Sequence, residues 1–129
     1  MKSKSFRVRS RAREEILLIT RHVDAALREL TDGDGICTIF TPHTTAALAI
    51  NENADPDVPA DLKRALKALV PSVRFDHGEG NSDAHLLSAI IGVSLQIPYR
   101  AGKLRLGRWQ GIYFIELDGP REREVEVYV

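Results

Sequence analysis

Hydrophobic and polar positions alternate clearly at the start of the chain. In residues 5–12, "SFRVRSRA", Phe6 and Val8 are set against Arg7, Arg9 and Arg11, the period of a half-buried strand with one basic face. Arg13 to Glu15 read as a turn and Ile16 to Ile19 as a second strand. Val23, Ala26, Leu27 and Leu30 then fall at helical spacing, with Thr20 as the expected cap and Gly33 as the expected left-handed terminator. Residues 36–41, "ICTIFT", are β-prone and stop at Pro42. "TPHTTAALAINEN", residues 41–53, mixes helix formers with threonines, and its length reads as a short buried strand. Val58, Leu62, Ala65, Leu66 and Leu69 mark an amphipathic helix entered near Pro59 and ended by Pro71. After the polar loop "FDHGEGNSDAH" a second short helix runs from about Asp83 to Gly92. From Leu95 the pattern is β: "LQIPYR", "KLRL", "GIYFIELD" and "REVEVYV", separated by turn residues. Strands flank helices without a βαβ rhythm. The expected class is therefore α+β, with a mainly antiparallel sheet packed with two to three helices in one domain spanning 1–129.

Composition narrows the function classes. A chain of 129 residues, 43% hydrophobic and 28% charged, is long enough to bury a core without staples. Eighteen basic residues balance eighteen acidic ones, so no global field recruits nucleic acid or an anionic membrane. The basic face of the first strand is matched by Glu122, Glu124 and Glu126 near the end of the chain. Cross-strand pairing explains both stripes without a ligand, and no aromatic residues are interleaved for base stacking. The single cysteine, Cys37, sits in an apolar strand and reads as an inert buried thiol. With no apolar run near the roughly 20 residues of a membrane span, the expectation is a soluble cytoplasmic domain.

Four histidines bear on chemistry. His22, between Arg21 and Asp24 on the polar side of its helix, reads as solvated surface. His43 follows the proline that ends a strand, whereas His77 and His85 bound a loop whose Gly78 and Gly80 let it fold tightly. Three neutral imidazoles can hold a zinc-like ion and leave a position open, with Asp76, Glu79 and Asp83 as outer acceptors. The spacing matches no familiar short zinc motif, so separate loop and cap roles stand beside the shared site. The helix face of His85 continues through the small residues Ser88, Ala89 and Gly92, which suit either close packing on a sheet or a ligand. Glu116 interrupts an apolar strand and calls for a partner, Arg121 or Arg123. Glu52 has no local cation before Lys63, which favours a histidine or metal partner from elsewhere.

Taken together, "PHTTAALAINEN", "DVPADL", "AHLLSAIIGVSLQIP" and "GKLRLGRWQGIYFIELDGPRER" resemble the YjbQ-like family in order and over nearly the whole chain. The resemblance implies an α+β fold, a homotrimer and a weak secondary thiamine-phosphate synthase activity. Its polar blocks fall on His43, Thr44, Thr45, Asn51, Glu52, Asp61, His77, Asn81 and His85. They continue on Gly102, Gly107, Trp109, Gln110, Glu116 and Arg121.

On this basis His43, Glu52 and Gln110 are the catalytic candidates. Thr44, Thr45, Asn51, Asn81, Trp109 and Arg121 are the substrate-binding candidates, and His43, His77 and His85 the ligands for a divalent metal, zinc or magnesium. The reaction would join an aminopyrimidine-methyl diphosphate to a thiazole phosphate and release diphosphate. Ionisation of the C–O bond needs no protein nucleophile, only charge stabilisation and a shielding pocket. Lys103, Arg105, Arg108 and Arg121 are the basic candidates for phosphate. Two other readings use the same residues. One is a metal- or phosphate-binding protein with incidental synthase activity, and the other a metal-dependent hydrolase with Glu52 as base.

Overall fold

The computed structural model describes residues 1–129. In chain order the elements are β1 (Ser3–Arg9), β2 (Glu15–Leu18), α1 (Thr20–Leu30), β3 (Gly35–Phe40), β4 (Ala46–Glu52), α2 (Asp57–Leu69), α3 (Ser82–Ile91), β5 (Ser94–Arg100), β6 (Lys103–Leu104), β7 (Gln110–Glu116) and β8 (Glu122–Tyr128). They form a five-stranded sheet, β1-β8-β3-β5-β6, and a three-stranded sheet, β2-β7-β4. Every strand pair is antiparallel. The α+β class with antiparallel sheets and three helices is as the pattern implies.

Two cores follow from the period-2 alternation of the strands. Val8, Cys37, Ile39, Ile97, Val125 and Val127 of the larger sheet meet Ala46, Leu48, Ile112 and Phe114 of the smaller one. Helix α1 adds Val23, Ala26 and Leu27 to this core. The opposite face of the small sheet supplies Ala47, Ile115 and Leu117 to a second core with Ala84 and Leu87 of α3. Strand β7 is thus buried on both faces, which explains its unbroken apolar run. Ala47 and Ala49 have too little bulk to hold α3 away. Ser88 of α3 donates to the Ala46 carbonyl at 2.6 Å, and the Leu48 N–H donates to the Gly92 carbonyl at 3.1 Å. That contact accounts for the small residue Ser88, whereas a Cβ at Gly92 would meet nothing within 4 Å. Gly92 ends α3 with φ +101°, a conformation that L side chains rarely adopt.

Two turn assignments need correction. Thr20 does not cap α1: its hydroxyl accepts the Ile112 N–H at 2.9 Å and ties the helix to β7, while Ile19 occupies the cap position. Gly33 is not left-handed. The helix stops because Thr31 turns to extended backbone, with its N–H still on the Leu27 carbonyl. The arginine and glutamate stripes lie in register as expected, Arg7 opposite Glu124 and Arg9 opposite Glu122. No helix is long and apolar enough to cross a membrane.

Candidate functional site: a histidine-lined cavity

The first histidine is placed by unfinished sheet edge. Strand β3 pairs with β8 only as far as Phe40 opposite Glu126, so the backbone of Glu124 lies beyond the last residue of β3. In that register Pro42 would come opposite Glu124, and proline has no N–H to donate. Side chains finish the ladder instead. The Thr41 hydroxyl donates to the Glu124 carbonyl at 2.9 Å, and His43 Nε2 accepts the Glu124 N–H at 2.9 Å. An accepting Nε2 fixes the neutral tautomer with its proton on Nδ1, the nitrogen left for a ligand. Partial burial, and next the positive charge of Arg123, hold the His43 pKa below its ordinary value.

His85, in the first turn of α3, meets His77 of the preceding loop edge to face, with ring centroids 5.4 Å apart. His77 also lies 3.7 Å from Glu79. All three histidines line one cavity of about 460 Å³ whose walls carry no hydrophobic residue. Thr44, Thr45, Asn81, Asp118, Arg121 and Arg123 line it too. A second hollow of about 420 Å³ shares His43, Thr44 and His85 and continues along Ser88, Ala89 and Gly92 to Phe40 and Val93. His22 is elsewhere, exposed and stacked on Phe6.

Beneath the cavity lies a buried ion pair. Glu116 takes Arg123, not Arg121, as its partner: Arg123 Nη2 donates to Oε2 at 2.5 Å and Nε to Oε1 at 2.9 Å. Ser10 donates to Oε1 at 2.6 Å, and the Leu117 and Asp118 N–H groups donate to Oε2 at 3.1 Å. Burial alone would raise this carboxyl, but the hydrogen bonds from Arg123, Ser10 and Asp118 together hold its pKa below the ordinary value. Arg123 Nη2 also donates to the Thr45 hydroxyl at 2.9 Å and the Thr45 carbonyl at 3.1 Å. Thr45 is therefore committed to the scaffold. Arg123 had a sequence signal: it lies two residues before Val125, on the inward face of β8 that Val125 and Val127 define.

Asn81 stands at the cap position of α3 without capping it. Its Nδ2 donates to Asp118 at 2.9 Å, while its Oδ1 is buried and has no partner. Asp118 further receives Arg121 at 3.2 Å and lies 3.8 Å from Arg13. A buried acceptor with nothing donated to it is a costly exception in a folded chain, and here it belongs to a residue lining the cavity.

The remaining site candidates are not gathered there. In the β4–β7 register Ala46 pairs with Glu116 at one end and Glu52 with Gln110 at the other. Those six steps amount to about 20 Å of strand. Asn51, Glu52, Trp109 and Gln110 therefore occupy the far end of the ladder from His43. Gln110 Oε1 accepts the Gly107 N–H at 2.8 Å and holds the turn, and Asn51 Oδ1 accepts the Glu52 N–H at 2.7 Å. Tyr113 donates to the Glu52 carbonyl at 2.8 Å, and Trp109 is 53% exposed beneath the Arg108 guanidinium. Of the basic residues considered for phosphate, Arg121 alone lines the cavity; Lys103, Arg105 and Arg108 do not. His43, His77 and His85 share the cavity, yet no three His, Cys, Asp or Glu side chains are grouped so as to hold a metal ion.

Comparison with known proteins adds a family but no activity. Residues 4–129 match the model of a family described as UPF0047 protein YjbQ-like. A UPF0047 protein of Methanocaldococcus jannaschii is 46% identical over 125 residues, covering 96% of this chain and 91% of the relative. The Bacillus subtilis UPF0047 protein YugU is 45% identical, covering 93% and 92%. A crystal structure of an uncharacterised YjbQ/UPF0047 protein from Clostridium acetobutylicum superposes with a TM-score of 0.91 at 44% identity, covering 97% and 98%.

Proposed function

Because the chain belongs to the UPF0047 family of YjbQ-like proteins, we propose that its histidine-lined cavity binds small phosphorylated molecules. We further propose that it carries a thiamine-phosphate synthase-type transfer. In that reaction the exocyclic C–O bond of an aminopyrimidine-methyl diphosphate breaks and diphosphate leaves with the electron pair. The thiazole nitrogen then forms the new C–N bond. The observation that carries this reading is one cavity with no hydrophobic wall, lined together by three histidines, Asn81 and Arg121. An aminopyrimidine offers N–H donors and ring-nitrogen acceptors to the polar groups of such a wall.

The other roles follow from residues of the same cavity. Arg121, the cavity's cation outside the buried pair, suits the diphosphate. Neutral His43 can donate Nδ1–H to a phosphate oxygen without adding a formal charge. The adjoining hollow along Ala89 and Val93 offers room for the second ring. The three histidines are not grouped as ligands of one ion, and the chain's own donors position the diphosphate. A divalent ion, zinc or magnesium, is assigned to the departing diphosphate rather than to a resident site. Glu52, Gln110 and Trp109 find a role in the homotrimer that we also propose, at an exposed end available to a neighbouring copy. Light scattering across a dilution series tests that assembly, and a monomer at all concentrations would refute it.

The decisive assay incubates the protein with both substrates and follows thiamine phosphate. Loss of a donor to developing charge typically costs about 10²–10³-fold in rate, and Arg121→Ala and His43→Ala are expected in that range. Asn81→Ala should raise the KM for the pyrimidine more than it lowers kcat. Parental activity in all three variants would refute the site. A second reading, a phosphate-binding protein with incidental turnover, is favoured by the distance of Glu52 and Gln110 from the cavity. Calorimetric binding of either substrate without product would select it.

A further inference from the structure

A separate cavity of about 310 Å³ lies on the other side of α3, between that helix, α2, β2 and β7. Its floor is apolar, with Ile16, Leu66, Leu87 and Ile115 among the lining residues. Helix α2 closes it in an unusual way. The helix carries an amphipathic stripe, yet none of its residues is buried. An amphipathic helix on a globular domain ordinarily buries that stripe against the core. Here Leu66 and Val70 reach the second core only partly, and they border the cavity.

The charge at the rim identifies the occupant. Lys67 pairs with Glu14 at 3.2 Å, Arg13 with Asp83 at 3.2 Å, and Glu15 accepts the Arg11 N–H at 2.8 Å. Lys63 is the rim cation in no ion pair, and Glu15, bonded to a backbone N–H, is the rim carboxylate in none. The space is at the lower end of small-molecule sites, which run from about 300 Å³. We infer that this cavity is a second ligand site, independent of the histidine cavity, that takes a small amphiphile: an apolar chain or aromatic ring over Leu66, Leu87 and Ile115, with one anionic group paired to Lys63.

The test uses the full-length protein and two probes, an anilinonaphthalene sulfonate dye and octanoate. Saturable dye fluorescence is expected while thermal unfolding of the same sample stays cooperative, with octanoate displacing the dye. Octanol has a similar chain without the charge and should compete about two- to fivefold less well, the order of one exposed ion pair. Lys63→Glu should weaken dye and octanoate by about tenfold or more. Leu66→Trp, a filling change at a half-buried position that the fold can absorb, should abolish both. Arg121→Ala, in the other cavity, should change neither. The inference is overturned if the folded parent shows no saturable binding, if Lys63→Glu and Leu66→Trp bind as the parent does, or if octanol competes as well as octanoate.

Discussion

The two ends of the β4–β7 ladder carry similar residue types and treat them in opposite ways. At the Thr45–Glu116 end, hydroxyl, carboxylate and guanidinium are buried and mutually bonded, and only Asn81 Oδ1 is left over. At the Glu52–Gln110 end the polar groups meet solvent, bond to nearby backbone and leave Trp109 exposed. A polar residue beside an apolar strand therefore has no fixed meaning. Where the sheet is covered on both faces it must be satisfied by a network, and where the strand runs out it needs nothing.

The largest test of this contrast is Arg123→Ala, which would leave Glu116 buried without its cation. Breaking a buried pair from one side costs about 3–5 kcal/mol, so denaturant or thermal unfolding should show a loss of that size. Replacing both Glu116 and Arg123 by methionine should recover most of it, because no lone charge remains. A loss below about 1 kcal/mol in the single variant, the scale of an exposed pair, would erase the distinction between the ends. Thr45→Val comes next, removing one acceptor of Arg123 while the Thr45 carbonyl keeps the other. About 1 kcal/mol is expected by the same measurement.

Acid and alkali should separate the ends further. His43 and Glu116 have depressed pKa values, so the unfolded chain binds their protons more readily. Their contribution is complete above the ordinary values and is lost as pH falls, below 6.5 for His43 and below 4.5 for Glu116. Tyr113, at the other end, has a raised pKa, from burial first and then from the charge of Glu52. The unfolded chain gives up that proton first, so stability falls as pH rises past 10.0. Tyr113→Phe should shallow the alkaline limb of a melting-temperature profile and leave the acid limb unchanged. His43→Asn should do the reverse. The smallest effect belongs to Glu52→Gln, expected within about 0.5 kcal/mol of the parent in unfolding. A larger loss would mean that the open end carries structure too.

The sequence by itself determined the α+β class, the strand character of β4, the pairing of the arginine and glutamate stripes and the burial of Cys37. Each depends on period-2 or helical spacing, which neighbouring residues impose on one another. The strand reading also separates His43 from Glu52, because the seven residues Ala46–Glu52 are extended and carry Glu52 to the far end. Only the tertiary structure decided that Arg123 rather than Arg121 neutralises Glu116. The choice depends on which side of β8 faces the core and on the sheet bringing Thr45 beside it. Only the fold brought His43 to His77 and His85, because the backbone of Glu124, some eighty residues from His43, offers the hydrogen bonds that Pro42 cannot complete. The cavity beneath α2 belongs to the same class. Helical spacing marks the apolar stripe of that helix, but whether the stripe is covered is settled by how closely two other elements approach it.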